Sequence, residues 1–161
     1  MIRLGRMTDY AVVVMGHMAR RPGELVTTVD VAAATGLPLP TVSKLLHRLA
    51  DLRLLAAHRG RYGGYLLERA PRDIPLSVIV RGFEGPVALT DCLDSESTGG
   101  CGMHSSCAVA GRWQVVANAI EDVFQRLTLA DMISNEPCAK ALTPMSLADF
   151  PQPGTQGPTH G

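Results

Sequence analysis

The run TTVDVAAATGLPLPTVSKLLHRL, residues 27–49, most constrains the fold because it carries start and stop signals for two short helices. Thr27 and Asp30 have the spacing of a capping box, and Gly36 is typical of the position just past a helix end. Pro40 suits the first turn of the next helix. Five residues recur on that helix at helical spacing and form one apolar face: Leu39, Val42, Leu45, Leu46 and Leu49. The pattern predicts a helix-turn-helix.

The segments on either side extend this unit. In TDYAVVVMGHMARRPG, Thr8 is a candidate N-cap for a preceding helix, and the run RRPG ends it. After the helix-turn-helix, LLAAHRGRYGGYLLERA predicts two strands around a glycine-containing turn. Arg59 and Arg61 lie at the tip of this basic hairpin. A hairpin directly after the third helix predicts a wing, so the fold class is mostly α with a small β-wing.

The third helix and the wing supply the candidate DNA contacts. Off the apolar face of the helix lie Thr41, Ser43, Lys44, His47 and Arg48, all able to contact phosphates or base edges. We expect this helix to enter a major groove, with Pro40, Thr41, Ser43 and Lys44 foremost. The negative potential of a narrow minor groove attracts guanidinium groups, so Arg59 and Arg61 are expected to lie there.

Charge is unevenly distributed along the chain. Residues 1–72 contain eleven Lys and Arg against five Asp and Glu, whereas residues 73–161 contain four against ten, although the net charge is zero. A basic first part indicates a polyanionic partner. The apolar stretch YAVVVMGHMA is too short to span a bilayer and has no basic leader. We therefore expect a cytoplasmic protein, whose thiols stay reduced.

Three of the four cysteines lie in one run, CLDSESTGGCGMHSSC, from Cys92 to Cys107. The spacing C-x8-C-x5-C fits zinc poorly, because structural zinc sites favour ligand pairs two to four residues apart. Thiolates on a glycine-rich loop suit an iron–sulfur cluster. Spacing alone leaves a cluster, zinc and free thiols as alternatives.

Two further helices flank this run. The segment DIPLSVIVRGFEGP predicts a short helix with Ile74, Val78 and Ile79 facing inward. After the cysteines, GRWQVVANAIEDVFQRLTLADMI predicts one long helix with Asn118, Glu121, Asp122 and Gln125 opposite an apolar stripe. The stripe comprises Trp113, Val116, Ala117, Ile120, Phe124 and Leu127. We expect it to pack on a partner helix.

The segments MTDYAV, TGLPLPTVSKLLHRL and HRGRYGGYLL, followed by the three cysteines, resemble the IscR-like winged-helix regulators of the Rrf2 family. The resemblance covers residues 1–133. The runs TGLPLPTVSK and EGPVALTDC are most similar to the branch that regulates SUF iron–sulfur cluster assembly.

The resemblance implies a homodimer joined through the long helix and a cluster held by Cys92, Cys101 and Cys107. Many relatives carry a histidine three residues after the last cysteine, where this chain has Ala110. The fourth ligand is therefore open: the candidates are His104 and Asp9 of the partner subunit, and an exogenous ligand or an open iron site is an alternative. Cys138 is discounted because it begins the tail. Both [2Fe-2S] and [4Fe-4S] clusters are compatible with three cysteines.

The sequence thus predicts a DNA-binding transcriptional repressor that senses cluster status and controls SUF-type genes through a pseudo-palindromic operator. We divide it into a winged helix-turn-helix domain (1–72), a region with a linker helix, cluster loop (90–110) and dimerisation helix (111–130) within 73–133, and a disordered tail (134–161). No catalytic motif is found, and we expect no enzyme. Alternatives are a regulator that responds to nitric oxide, iron or thiol oxidation and, more distantly, an iron–sulfur carrier or electron-transfer protein.

Overall fold

The computed structural model describes residues 3–90, 93, 107, 109 and 112–134. Within these residues the chain forms six α-helices and one two-stranded antiparallel sheet. In chain order they are α1 (Arg6–Ala19), α2 (Thr28–Thr35), α3 (Leu39–Asp51), β1 (Leu55–His58), β2 (Gly64–Leu67), α4 (Leu76–Glu84), α5 (Arg112–Arg126) and α6 (Leu129–Ile133). The predicted class, mostly α with a small β-wing, is confirmed. None of the described helices has the length and apolar character needed to cross a membrane.

One hydrophobic core joins these elements. Helix α1 supplies Val14, Met15 and Met18, all fully buried, and packs against α2, α3, α4 and α6. Leu45 and Ile79 bring α3 and α4 into the same cluster. Branched aliphatic and Met side chains fill this interior, in a chain with only 4% aromatic residues. The core therefore fixes α3 and its neighbours as one unit.

The start of α1 differs from the prediction. The N-cap is Gly5, and Thr8 lies within the first turn, where its side chain is fully buried. The Thr8 hydroxyl donates a hydrogen bond to Glu84 at the end of α4 instead of capping its own helix. Thr8 as N-cap is therefore wrong, because a distant carboxylate supplies the acceptor that a local cap would provide.

The predicted linker helix is present as α4, with changed bounds. Ile74 is buried but precedes the helix, Val78 is half-buried, and Ile79 is fully buried. The helix ends where Gly85 adopts a positive φ of 81°. Such a conformation favours glycine, so the EGP run ends α4 as expected.

The long helix after the cysteines is broken in two. Helix α5 ends at Arg126, short of the expected residue 130, and α6 begins at Leu129. Between them the chain pairs with the start of α4: Leu76 N–H donates to Leu127 O and Leu129 N–H to Ile74 O, both at 2.8 Å. A second capping box, formed by Thr128 and Asp131, then starts α6.

The apolar stripe of α5 does not act as one surface. Ala117 is buried, and Phe124 and Leu127 pack against the core of their own chain. Gln125, expected on the solvent side, accepts a hydrogen bond from Ser77 on α4, and Glu121 pairs with Arg81 at 3.2 Å. Trp113 and Val116 of the stripe remain exposed on α5, together with Val115 and Val123. Only part of the predicted stripe is therefore free for a partner.

Candidate nucleic-acid interface

Helix α3 presents a polar face opposite its buried side. The four core positions Val42, Leu45, Leu46 and Leu49 are fully buried. On the outer side Pro40, Lys44 and His47 are exposed, and Thr41 and Ser43 are half-buried at its edge. Pro40 lies in the first turn, as predicted, with Pro38 as N-cap. The predicted contact residues on α3 therefore share one accessible face.

Helix α2 and the turn after it support α3. The predicted capping box is confirmed: Thr27 Oγ1 accepts from the Asp30 N–H at 3.2 Å, and Asp30 Oδ2 accepts from the Thr27 N–H at 3.3 Å. Hydrogen bonds from the Thr27 hydroxyl and backbone hold the pKa of the Asp30 carboxyl below its usual range. Gly36 closes the helix with a left-handed φ of 71°. The turn leads directly into α3, on which α2 packs.

The wing follows α3 directly. Strands β1 and β2 pair in antiparallel register from Leu55 opposite Leu67 to His58 opposite Gly64. The tip, residues 59–63, closes with a Gly63 N–H donated to Gly60 O at 2.9 Å. A Cβ at Gly63 would collide with the backbone carbonyl of His58. Glycine is therefore required there to keep the tip tight.

The tip carries the two predicted arginines. Arg59 and Arg61 are both exposed, and the Arg61 guanidinium lies 5.8 Å from the ring centroid of Tyr62. This distance is that of a cation–π contact. Tyr62 itself is 82% exposed. Sequence reasoning did not single out Tyr62, and no spacing signal marks it; only its position at an exposed tip does.

Contacts at the base of the wing connect it to the helices. Val26 and Tyr65 exchange two backbone hydrogen bonds, at 2.9 and 2.8 Å. The ring of Tyr65 meets His47 of α3 edge to face, with centroids 6.5 Å apart. His47 therefore lies where the polar face of α3 meets the base of the wing.

The charge of this surface is available for a ligand. In residues 3–90 and 112–134, Lys44 and Arg59 take part in no ion pair. Unpaired, exposed cations attract a polyanion without first giving up an internal partner.

Arg48 is exposed on α3 and also binds within its own chain. Its Nε and Nη2 donate to the backbone carbonyl of Gly82 on α4, at 3.1 and 3.0 Å. Arg48 therefore connects α3 to the end of α4, a contact that the sequence did not predict.

His17 on α1 is half-buried, and its Nε2 is buried without a hydrogen-bond partner among the described residues. Burial, together with Arg21 and Arg20, holds the pKa of this imidazole below its ordinary value, against smaller effects of Glu24 and Asp30. The neutral ring is favoured, as fits a histidine at the edge of the core.

Three members of the predicted metal site lie outside the described residues: Cys92, Cys101 and His104. Cys107 is described and is a half-exposed free thiol. Asp9 is exposed on α1. Within the part of the chain that the structure describes, no three His, Cys, Asp or Glu side chains come together to hold a metal ion.

Comparisons with known proteins bear on this arrangement. A sequence profile of the Rrf2 family, described as "Iron-dependent Transcriptional regulator", matches residues 4–135. The HTH-type transcriptional regulator NsrR of Halalkalibacterium halodurans is 28% identical over 142 residues, which are 88% of this chain and 97% of that protein. The profile match spans every helix and strand described above.

Two solved structures have a similar fold. CymR, the global cysteine regulator of B. subtilis, aligns with a TM-score of 0.66 and 25% identity, over 85% of this chain and 100% of CymR. IscR of T. potens aligns with a TM-score of 0.61 and 28% identity, over 82% of this chain and 86% of IscR.

Proposed function

We propose, from the premise that the chain belongs to the Rrf2 family of transcriptional regulators, that it is a repressor controlled by an iron–sulfur cluster. One observation carries the DNA-binding part of the proposal. The exposed face of α3 contacts the base of the arginine-bearing wing through His47 and Tyr65. Helix-turn-helix regulators read DNA with such a helix, while wing arginines suit the minor groove.

Each residue of the surface has a proposed role. Pro40, Thr41, Ser43 and Lys44 enter the major groove, where Lys44 meets phosphate or a guanine edge and the hydroxyls meet base edges or backbone. His47 contacts the flanking phosphates. Arg59 and Arg61 enter the adjoining minor groove.

The operator is proposed to be pseudo-palindromic because the protein acts as a homodimer. Two-fold symmetry places half-sites about 10 bp apart, or a multiple of this spacing. The exposed apolar surface of α5 supports this assembly, since Val116 and Val123 lie two turns apart on one side. In this proposal residues 1–72 bind DNA, residues 73–133 hold the cluster and form the dimer, and residues 134–161 form a tail.

The sensor is proposed to be a cluster held by Cys92, Cys101 and Cys107, with His104 or the partner's Asp9 as fourth ligand. The donor set fits such a group, since soft thiolates prefer iron–sulfur clusters. The half-exposed thiol of Cys107 and the family's description as iron-dependent agree with this assignment. When bound, the cluster would cross-link the residues that hold it, and iron shortage or oxidation would break this cross-link. The regulated genes are proposed to be those for SUF-type cluster assembly in the cytoplasm.

Anaerobic purification tests the sensor. We expect a coloured protein with iron and acid-labile sulfide, and loss of both in Cys101→Ala. Cys138→Ala is the matched control and should retain the full chromophore, because Cys138 lies beyond the proposed loop. A Cys101→Ala protein with an unchanged spectrum would exclude this ligand set.

A second candidate is a regulator of the same fold whose signal is nitric oxide, iron starvation or thiol oxidation. Similarity to NsrR and to CymR, the global cysteine regulator of B. subtilis, favours keeping it. A colourless protein whose DNA affinity changes on oxidation of Cys107 with peroxide would favour the thiol signal, since exposed thiolates oxidise readily.

A further inference from the structure

The last turn of α4 holds a carbonyl that its own helix cannot satisfy. The final four C=O groups of any α-helix have no intrahelical donor. In α4 the Gly82 carbonyl accepts two N–H groups of Arg48, at 3.1 Å from Nε and 3.0 Å from Nη2. A cation at a helix C-terminus is also favoured by the helix dipole. Arg48 thus attaches the recognition helix α3 to the end of α4.

The same turn caps another helix. The N-cap of α1 is Gly5, which has no side chain to cap with. Glu84 takes this part: its Oε1 accepts the Gly5 N–H at 2.7 Å and the hydroxyl of the buried Thr8. A carboxylate at a helix N-terminus is favoured for the converse electrostatic reason. The start of α1 is therefore fixed by a residue 79 positions away.

The packing around this turn is tight. Gly82 is buried, and a Cβ there would collide with Leu52 Cδ1 at the end of α3. On the opposite side Arg81 pairs with Glu121 of α5 at 3.2 Å. Residues 81–84 thus contact α1, α3 and α5 together. We call this segment the joint.

The chain leaves the joint through Gly85 and runs to Thr90, and Cys92 follows Glu84 by eight residues in the sequence. If the chain near Cys92 moves, the residues from Gly85 to Thr90 must either change conformation or transmit the movement to the last turn of α4. The charge-assisted hydrogen bonds of Arg48 and Glu84 favour transmission of the movement, because they hold the last turn of α4 in a fixed direction as well as at a fixed distance.

We infer that the joint transmits the state of the second half of the chain to the recognition helix, with Arg48 as a positioning residue for DNA binding rather than a DNA contact. This inference rests on the proposed function. It assigns to Arg48 and Glu84 a part in regulation that follows from their contacts alone.

The first test compares Arg48→Met with Lys44→Met on a duplex that the wild-type protein selects from a random-sequence pool. Each neutralised phosphate contact changes the slope of log affinity against log salt by about 0.9. We expect Lys44→Met to reduce this slope. Arg48→Met should weaken binding at least about fivefold, a typical size for energetic coupling, and keep the wild-type slope.

Two results would overturn the assignment of Arg48. A reduced salt slope would show that it contacts phosphate, and an unchanged affinity would show that its attachment to Gly82 does not matter for binding. Arg48→Lys retains one donor for the carbonyl and should recover part of the affinity. If Arg48 had a merely structural role, its substitution would lower the unfolding temperature together with the affinity. Loss of affinity in Arg48→Met and its partial recovery in Arg48→Lys, both at a constant unfolding temperature, therefore indicate a positioning role.

A second test needs no DNA and so separates failure of this inference from failure of the proposed function. Hydrogen exchange of the full chain should quicken in Arg48→Met both in α3 and in residues 80–90. Glu84→Gln, which keeps its shape but loses its charge, should quicken exchange at the start of α1 and in residues 80–90. Changes confined to the helix that carries the substitution would overturn the joint. A wild-type protein that selects no duplex would overturn the proposed function, and the exchange data would still decide on the joint.

Discussion

Arg59 illustrates what one exposed residue can contribute. Its guanidinium lies at the wing tip and has no ion pair within the described part of the chain. We expect Arg59→Ala to weaken binding to a selected duplex by about 1–3 kcal/mol and to reduce the salt slope by about 0.9. Fluorescence anisotropy at several salt concentrations measures both. Stability should not change, because Arg59 is exposed and forms no ion pair among the described residues.

The control is Arg72→Ala, which removes another exposed arginine, paired with Asp73 at 4.0 Å, from the 3-10 turn Pro71–Asp73 beyond the wing. It should leave duplex affinity near the wild-type value. If the two variants lose affinity equally, the effect is one of net charge and the wing placement is wrong.

His17 makes stability depend on pH. Its pKa in the folded chain is lowered, mainly by burial and then by Arg21 and Arg20, so the folded state favours the neutral ring. The unfolded chain takes up this proton near the ordinary value of about 6.5. The neutral ring therefore contributes stability above about pH 6.5, and this contribution is lost as the pH falls through the lower folded value.

Urea unfolding measures this dependence. Between about pH 7.5 and pH 5.5 the wild-type protein should lose more unfolding free energy than His17→Gln, which has no proton to gain. His58→Gln, an exposed change on the wing, serves as control. An identical loss in wild type and His17→Gln would remove His17 as the source.

At the scale of elements, the capping box of α2 is the clearest stabilising device. Thr27→Ala removes the acceptor for the Asp30 N–H and should lower the unfolding free energy by about 1 kcal/mol. Because α2 packs on α3, DNA affinity should fall with it. Thr27→Ser keeps the hydroxyl and should restore both, as chemical denaturation and anisotropy would show; a Ser variant as unstable as the Ala variant would contradict a capping role.

The same element shows why part of the fold was predictable. Signals for α2, α3 and the wing lie within each segment: a capping box, a terminal glycine, a proline in the first turn and an alternating hairpin. The break between α5 and α6 depends instead on hydrogen bonds between Leu76 and Leu127 and between Ile74 and Leu129, some fifty residues apart. No local sequence pattern predicts such a long-range pairing.

The candidate site divides in the same way. The exposed positions of Lys44 and Arg59 could be predicted, because the spacing of apolar residues indicates the exposed face of a helix and the glycines indicate a hairpin tip. The attachment of Arg48 to Gly82 and of Glu84 to α1 could not, since these contacts span 34 and 79 positions and need the folded core to bring them together. The sequence therefore indicated Arg48 as a candidate DNA contact but did not predict its hydrogen bonds to Gly82.

At the scale of the whole molecule, the proposed homodimer would use the exposed apolar side chains of α5. Val116 is 43% exposed and Val123 38%, on a helix whose other side already packs on α4. A second copy that pairs α5 with α5 would cover this surface and bring two recognition helices to one operator. The first part of each chain, with its excess of Lys and Arg, would then lie on the DNA.

Val116→Glu should dissociate this dimer, because symmetry would place two buried like charges near each other. Sedimentation velocity should show a shift from dimer to monomer at micromolar concentration. Affinity for a two-half-site duplex should fall steeply, while affinity for a single half-site changes little. Asn118→Glu adds the same charge to the exposed polar side of α5 and should remain dimeric. If Val116→Glu sediments like the wild-type protein, the dimer interface does not include this surface of α5, because a buried charge there would have separated the two copies.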